Sequence, residues 1–397
     1  ILDDVCKRFS RRASAQLKID FQIFCNQEAE WLDDYALFVA LKEENDLRPW
    51  TDWAPEFVSR DKAALHAFSK KNSSKIKRAK LRQFLFRHQW YSLRAFAAEH
   101  GVKFVGDIPI FVAHDSADVW ANQELFYLTD EGQPTVMAGV PPDYFSATGQ
   151  LWGNPLYNWE IHQETGYAWW LKRMQHMVNL VDIVRIDHFR GFEAYWEVPG
   201  DEKTAMNGKW VKGPGHDFFQ VLKETMGDIP VIAEDLGVIT PEVDALRDDF
   251  KLPGMRILQF SFSEGLEPHM QPEGFPENCI VYTGTHDNDT TCGWFHREPG
   301  VNNTNTEEEI QAERDLVLST VHTSGDQIHW DLISLAMRLA PHTAIIPLQD
   351  VLGLGTEGRM NVPGKMDGNW AWRFAASDLH EEALQRLRDI TEWAGRI

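Results

Sequence analysis

The first hundred residues place hydrophobic side chains at helical spacing. Between residues 28 and 44 the apolar positions recur about every 3.6 residues; they are Trp31, Leu32, Tyr35, Phe38, Val39 and Leu41. Residues 74–100 form a second long helical stretch, followed by Gly101, a residue typical of helix ends. A loop containing Pro and Trp, residues 47–53, separates the two. The pattern therefore predicts a mainly helical region over residues 1–100.

After residue 101, short apolar runs alternate with stretches of helical period. Strands are predicted at 102–112, 181–187, 230–234, 255–260, 279–285 and 343–348. Helices are predicted at 165–180, 216–226, 241–250, 306–324, 326–340 and 378–395. This alternation predicts an α/β fold with a parallel sheet, which is either a (β/α)8 barrel of the TIM type or an open doubly wound sheet. No glycine-rich phosphate loop follows a predicted strand, and this favours the barrel.

A closed barrel of this type has eight strands, whereas the pattern predicts six. Two strands are therefore either hidden in the remaining sequence or lie upstream of Ile1. The stretch 113–160 shows no strong period. A long irregular segment inside a compact chain is usually functional, so we expect this one to contribute to a binding site.

Composition narrows the classes of partner. The net charge of −21 argues against nucleic acid and anionic membrane surfaces as partners and favours a neutral substrate. The chain holds 16 Trp and 23 Phe against 8 Tyr. Many of these rings belong in a core, but aromatic rings also stack on the apolar faces of sugars, so a carbohydrate cleft is a second interpretation.

The cysteines and the apolar runs bear on location. The four cysteines (Cys6, Cys25, Cys279 and Cys292) lack the short paired spacing of zinc sites and disulfide frameworks. The first residues do not resemble a signal peptide, and no apolar run approaches the ~18 residues of a membrane span. We therefore expect a soluble cytoplasmic protein.

The stretch 181–192, V-D-I-V-R-I-D-H-F-R-G-F, joins a buried strand to a group of charges. Arg185 and Asp187 are two residues apart, so their side chains point to the same face of the strand. The arginine can then keep the aspartate ionised, as a carboxylate nucleophile requires. On this stretch alone, a structural ion pair at a strand end is an equally good interpretation.

Two further apolar strands also end in acids. The strand within P-V-I-A-E-D-L-G, 230–237, ends in Glu234 and Asp235. The strand within I-V-Y-T-G-T-H-D-N-D-T-T, 280–291, ends in His286, Asp287 and Asp289. Each stretch also has an ordinary interpretation. The first pair of acids could cap the next helix, and His286 could be a core histidine. H-D-N-D could indicate a metal site, but it lacks the glycine and the spaced glutamate of an EF-hand. Three strands that bring carboxylates to one barrel rim, where like charges repel, instead indicate glycoside chemistry.

These blocks, R-I-D-H-F-R-G-F, I-A-E-D-L-G and Y-T-G-T-H-D-N-D-T-T, resemble those of the 4-α-glucanotransferases (amylomaltases or disproportionating enzymes) of glycoside hydrolase family 77 in the α-amylase clan. The resemblance extends along nearly the whole chain. It includes W-L-D-D-Y-A-L-F at 31–38, G-D-I-P-I-F-V at 106–112, G-V-P-P-D-Y-F-S at 139–146, L-W-G-N-P-L-Y at 151–157 and P-L-Q-D-V-L-G-L-G at 347–355.

The resemblance implies a role for each matching residue. Asp187 is implied as the nucleophile, Glu234 as the general acid and then base, and Asp287 as the carboxylate that binds sugar hydroxyls and favours the distorted sugar. Arg185 and His286 are implied to support the cleaved-side subsite. Further substrate-binding positions are the clan's first acid, Asp107, and Asp143, Tyr144, Phe145, Gln150 and Trp152 on the acceptor side. No cofactor and no catalytic metal are implied.

The family usually begins with an amino-terminal segment that holds the first barrel strands, and nothing in this sequence matches it. We therefore expect a (β/α)8 TIM-type barrel with helical insertions whose first strands are missing from this chain. Residues 1–100 are expected to be inserted in or to precede the barrel, and residues 101–397 to form it, with an acceptor-side loop region at 113–160. Malto-oligosaccharides, glucose or other glucans are the expected partners, with no nucleic acid and no membrane.

Two other functions use the same sequence features. An α-1,4-glucan hydrolase needs the same carboxylates, because transfer and hydrolysis differ only in whether sugar or water attacks the intermediate. An inactive glucan-binding fragment is the alternative outside enzymes, and the unmatched amino-terminal segment favours it. The three carboxylates together favour an enzyme.

Overall fold

The computed structural model describes residues 2–142, 146, 148–263, 265–300, 305–365 and 367–396. The chain divides into two compact units. The first comprises Ile1–Pro142 and Thr148–Pro230, and the second comprises Asp143–Ala147 and Val231–Ile397.

The first unit begins with helices. They are α1 (Leu2–Arg12), α2 (Ala15–Gln27), α3 (Ala29–Glu44), α4 (Pro55–Val58), α5 (Lys62–Lys71) and α6 (Ser73–Glu99). The helices predicted from the spacing at 28–44 and 74–100 are confirmed as α3 and α6. Side chains cap two of the others, since Ser14 accepts from the amide of Leu17 and Asp61 from that of Ala64. A phenylalanine-rich core joins α1, α2, α3 and α6; it consists of Phe9, Phe21, Phe24, Leu32, Leu81 and Phe84.

Two parallel strands of the first unit carry candidate site residues. Strand β1 (Val105–Pro109) pairs with β4 (Ile183–Asp187), and in this register Asp107 is opposite Arg185. Helix α9 (Ala168–Leu180) leads directly into β4, as the sequence predicts. Strand β4 is buried over its three central residues, which include Arg185, and Asp187 is its last residue.

The stretch 113–160 is not irregular throughout. It contains α7 (Ala117–Ala121), β2 (Val136–Val140), β3 (Gln150–Pro155) and the start of α8 (Trp159–Glu164). Strands β2 and β3 join β5 (Ala194–Pro199) and β6 (Lys209–Lys212) in an antiparallel sheet of order β3-β2-β5-β6. The sequence pattern predicts none of these four strands, because they are short, several contain glycine or proline, and the pairing of β2 with β3 shifts register between Met137 and Gly139. Helix α10 (Gly215–Met226) completes the unit.

The second unit carries the remaining parallel strands. Strands β8 (Gly254–Ile257), β9 (Cys279–Tyr282) and β10 (Thr343–Ile345) form a parallel sheet of order β10-β9-β8. Strand β7 (Val231–Ala233) lies beside β8, where the amide of Ala233 donates to the carbonyl of Pro253 over 2.9 Å. The helices of this unit are α11 (Pro241–Asp249), α12 (Thr291–Phe295), α13 (Glu307–Val321), α14 (Ile328–Arg338), α15 (Leu348–Val351) and α16 (Glu381–Trp393). Thr306 and Glu309 form a capping box at the start of α13.

All six strands predicted from apolar runs are present, and the α/β class is confirmed. The strands among the described residues do not close into an eight-stranded barrel, so the barrel type stays a prediction. In the described part of the chain, every helix is either too short or too polar to cross a membrane.

Candidate active site

Arg185 holds two carboxylates, one on β1 and one at the end of β4. Its Nη1 donates to Oδ1 and Oδ2 of Asp107 over 2.7 and 2.8 Å, and it lies 3.0 Å from Oδ1 of Asp187. The Arg185 side chain is 11% exposed, whereas those of Asp107 and Asp187 are 44% and 43% exposed. The predicted pairing of Arg185 with Asp187 on one strand face is therefore confirmed. A buried guanidinium fixes both acids and leaves part of each carboxylate accessible to solvent or substrate.

His188 follows Asp187 in a left-handed conformation, with φ of 50°. Its ring meets that of Trp152 edge-on, with centroids 4.9 Å apart and planes at 86°. Burial, and then the nearby charge of Arg190, lowers the pKa of His188 to about 3, so its ring is neutral at physiological pH. The motif R-I-D-H-F-R contains His188, but nothing in the sequence spacing indicates that it supports Trp152.

Trp152 and Gln150 lie together on β3. The indole Nε1 of Trp152 donates to Oε1 of Gln150 over 3.2 Å. Trp152 is 38% exposed, so β3 offers an accessible aromatic ring beside a polar amide. The other acceptor-side candidates, Asp143, Tyr144 and Phe145, lie outside the described residues, and their roles stay predictions.

Glu234 and Asp235 follow β7 and have different surroundings. Oε1 of Glu234 accepts from the amide of Leu236 over 2.9 Å. Asp235, whose side chain is only 1% exposed, accepts from Nη1 of Arg247 over 2.5 Å and from Nη1 of Arg256 over 3.1 Å. It also accepts from the amide of Met255 over 2.6 Å.

Asp235 is packed so tightly that only glycine fits beside it. A Cβ on Gly254 would lie 2.4 Å from the Asp235 carboxylate. With both oxygens engaged and its side chain enclosed, Asp235 joins the start of β8 to α11 and has no room for a substrate. Of the two adjacent acids, Asp235 is therefore structural, and the catalytic role of Glu234 stays a prediction.

Asp287 lies in the loop after β9, and its side chain is 43% exposed. Its Oδ2 is 3.4 Å from Nε2 of His286, and its Oδ1 accepts from Nδ2 of Asn361 over 2.6 Å. The ring of His286 in turn lies against the exposed ring of Trp370, with centroids 5.1 Å apart. Neither Asn361 nor Trp370 follows from the sequence patterns, because no periodicity relates a loop to residues more than 70 positions further along the chain.

The ends of this loop are fixed by Asp350 on α15. The buried carboxylate of Asp350 accepts from Oγ1 of Thr283 over 2.5 Å and from Oγ1 of Thr291 over 2.9 Å. It also accepts from the amide of Thr291 over 2.7 Å. Burial raises the pKa of Asp350. One buried residue thus anchors both ends of the segment that carries His286 and Asp287.

Asp289, the last acid of H-D-N-D, is engaged within the loop. Its Oδ1 accepts from the amide of Thr290 over 2.8 Å, and its Oδ2 accepts from Oγ1 of Thr356 over 2.8 Å. Its backbone carbonyl accepts from Nε2 of Gln259 over 2.9 Å. Asp289 therefore shapes the loop, whereas Asp287 presents its carboxylate.

Comparison with known proteins shows which family this chain belongs to. A family model described as 4-alpha-glucanotransferase matches residues 1–378. The 4-alpha-glucanotransferase of Thermus thermophilus is 46% identical over 398 residues, which cover 100% of this chain and 79% of that protein. The chloroplastic/amyloplastic 4-alpha-glucanotransferase of Solanum tuberosum is 43% identical over 374 residues, covering 93% of this chain and 63% of that protein.

A solved structure has the same fold. The amylomaltase of Streptococcus agalactiae in complex with acarbose superposes with a TM-score of 0.93 at 36% identity, and the match covers 100% of this chain and 78% of that one. The resemblance seen in the sequence motifs is confirmed by each of these comparisons. The chain therefore belongs to the 4-alpha-glucanotransferase family, glycoside hydrolase family 77.

Proposed function

We propose that this protein transfers 4-α-glucan segments from a malto-oligosaccharide donor to glucose or another glucan acceptor, with retention of configuration. The observation that carries the proposal is the ion pair of Arg185 with Asp187 at the end of a buried strand, with Asp187 partly accessible. A carboxylate that is ionised, fixed in orientation and exposed on one side is what a covalent glycosidase-type mechanism requires.

In the first step, a carboxylate oxygen of Asp187 attacks the anomeric carbon of the donor, and the glycosidic bond breaks. Glu234 gives its proton to the departing oxygen, so that the shortened glucan leaves as a neutral alcohol. The product is a glycosyl ester on Asp187. Asp287 and His286 hold the sugar during its distortion towards a planar, oxocarbenium-like state.

In the second step, Glu234 accepts the proton of an acceptor hydroxyl as the acceptor oxygen attacks the same carbon. The bond to Asp187 breaks, and the carboxylate is regenerated. Two inversions give net retention. Carboxylates and aromatic rings suffice for both steps, so the proposal involves no cofactor and no catalytic metal.

The acceptor is proposed to bind against Trp152, beside Gln150, with Asp143, Tyr144 and Phe145 contributing from the neighbouring segment. The exposed indole and the adjacent amide suit a sugar ring, which has apolar faces and hydroxyl edges. The relative from Streptococcus agalactiae was solved in complex with acarbose, and this supports an oligosaccharide substrate. We propose that the strands belong to a (β/α)8-type barrel, in which the active site lies at the carboxyl ends of the strands.

Incubation with maltotriose tests the proposal. Transfer produces both shorter and longer maltodextrins while the number of reducing ends stays constant, whereas hydrolysis raises that number. The Asp187→Asn variant, purified in the same way, is the control for contaminating activity. A rise in reducing ends that matches donor consumption would instead favour the glucan hydrolase. Binding of maltodextrins without any new products would favour a glucan-binding protein.

A further inference from the structure

We infer that Asn361, braced by Arg359, is a positioning residue that fixes the carboxylate of Asp287 in the orientation used during glucan transfer. The inference rests on the proposed function, because it concerns how Asp287 is held during that reaction. The segment that contains Arg359 and Asn361 follows α15, more than 70 positions after Asp287.

Two hydrogen bonds join this segment to Asp287, and a third lies within the segment. Nδ2 of Asn361 donates to Oδ1 of Asp287 over 2.6 Å, and Nη2 of Arg359 donates to the backbone carbonyl of Asp287 over 2.8 Å. Nε of the same Arg359 donates to the carbonyl of Asn361 over 2.9 Å. The guanidinium of Arg359 thus bridges the backbones of the two residues, and the amide of Asn361 is held at its short distance from the carboxylate.

The carboxylate is restrained at both oxygens. Oδ1 is bonded to Asn361, and Oδ2 lies 3.4 Å from Nε2 of His286. With its side chain 43% exposed, Asp287 would otherwise exchange between rotamers in solvent. Asp287 is proposed to bind the hydroxyls of a distorted sugar ring. If its side chain is already oriented, binding of the transition state costs no further side-chain entropy.

The bond from Asn361 is not needed to close its own loop. Another amide side chain, that of Asn369, closes this loop. Its Oδ1 accepts from the amide of Val362 over 3.0 Å, and its Nδ2 donates to the carbonyl of Lys365 over 2.9 Å. Among the described residues, the Asn361 side chain makes its hydrogen bond to Asp287 and not to its own segment. The side chain of Asn369 thus holds the loop together, whereas that of Asn361 contacts the site.

The Asn361→Asp variant gives a test with a specific signature. At pH 8 the introduced carboxylate faces that of Asp287, and we expect kcat/KM for maltotriose to fall at least about tenfold, since a charged hydrogen bond is replaced by repulsion. Towards pH 5 the two carboxyls share one proton, and this proton restores the donor to Oδ1. The ratio of variant to wild-type kcat/KM is therefore expected to rise as the pH falls.

Asn361→Ala removes the donor without adding a charge. Its kcat/KM is expected to fall about 10- to 100-fold at every pH, with most of the loss in kcat. Gln385→Glu is the matched control, because Nε2 of Gln385 donates to Oδ1 of Asp389 over 2.7 Å on the exposed face of α16. It makes the same amide-to-carboxyl change beside a carboxylate, and its activity ratio should stay near one throughout.

A double-mutant cycle distinguishes misfolding of the Asn361 variants from a loss of orientation of Asp287. The affinity for acarbose is measured for each single variant and for the double variant. In an Asp287→Ala background, Asn361→Ala should cause no further loss of binding. The inference is overturned if Asn361→Ala keeps kcat/KM within twofold of wild type, if the Asn361→Asp ratio is flat with pH, or if the two substitutions are additive. A wild-type protein that does not convert maltotriose would overturn the proposed function itself, and the positioning role with it.

Discussion

The guanidinium of Arg185 lies 3.0 Å from the carboxylate of Asp187, two residues further along the same strand. The same nitrogen also binds both oxygens of Asp107 on the neighbouring strand. Strand alternation predicts the first contact, while the second depends on the register that places Asp107 opposite Arg185. The arginine therefore links a local sequence pattern to the tertiary structure of the site.

Asp187→Asn should abolish turnover while leaving glucan binding largely intact. The amide has nearly the same shape but is not a nucleophile, so kcat is expected to fall by orders of magnitude. Single-turnover and steady-state assays on maltotriose, with acarbose binding and thermal unfolding as controls, check this. If the variant retained more than about a tenth of wild-type kcat, Asp187 would not be the nucleophile.

Glu234→Gln and Asp235→Asn should affect different properties although the residues are adjacent. Glu234→Gln removes the proposed proton donor, so activity is expected to fall with little change in the unfolding temperature. Asp235→Asn leaves Arg247 and Arg256 without their buried counter-charge, which typically costs about 3 kcal/mol of unfolding free energy. Parallel measurements of kcat and of thermal unfolding check both variants. Equal loss of stability in the two would contradict this assignment.

Trp152→Ala should weaken the use of acceptor more than the cleavage of donor. The exposed indole is the proposed platform for the acceptor sugar, and loss of a stacking contact typically weakens binding roughly 3- to 10-fold. Transfer rates at a series of glucose concentrations measure this effect, with donor cleavage at saturating acceptor as the reference. Unchanged dependence on glucose concentration would reject the platform role.

The parts of the fold and the site that depend on local chemistry and periodicity can be predicted from the sequence. The apolar runs that end in Asp187, Glu234 and Asp287 identify three parallel strands and their candidate acids. The antiparallel sheet has no comparable signal, because β2 and β3 are short strands with glycines and a register shift, which hide the alternation of side chains.

The supporting residues of the site cannot be predicted in this way for another reason. Asn361 and Asp350 contact the loop of Asp287 from positions about 60 to 74 residues away in sequence. Such contacts depend on how β9, α12 and α15 pack against one another. Residues this far apart in the sequence share no periodic pattern from which their contact could be predicted. The same limit applies to Asp235, whose structural role is evident only when Arg247, Arg256 and Gly254 surround it.

Stability of the first unit should fall as the pH drops below neutral, and His162 should be a main cause. Its side chain is fully buried among aromatic rings that include those of Tyr157 and Trp159. Burial lowers its pKa from 6.5 to about 4. The unfolded state therefore takes up a proton at a pH where the folded state does not.

The sign of the effect follows from this difference. Above pH 6.5 both states are neutral at His162, and its contribution is complete. As the pH falls from 6.5 towards 4, the unfolded state is favoured by about 1.4 kcal/mol per pH unit, or roughly 3 kcal/mol in all. His188, whose pKa is lowered to about 3, adds a loss of the same sign that continues as the pH falls towards 3.

Urea unfolding of the wild type and of His162→Phe between pH 7.5 and 4.5 measures the contribution of His162. Phenylalanine fills the aromatic site without a titratable group. The slope of unfolding free energy against pH should therefore decrease by ~1.4 kcal/mol per pH unit, the value for uptake of one proton. A surface substitution, His66→Phe, should leave the slope unchanged, because His66 is exposed on α5. Identical slopes in wild type and His162→Phe would mean that His162 takes up its proton equally in both states, contrary to its burial.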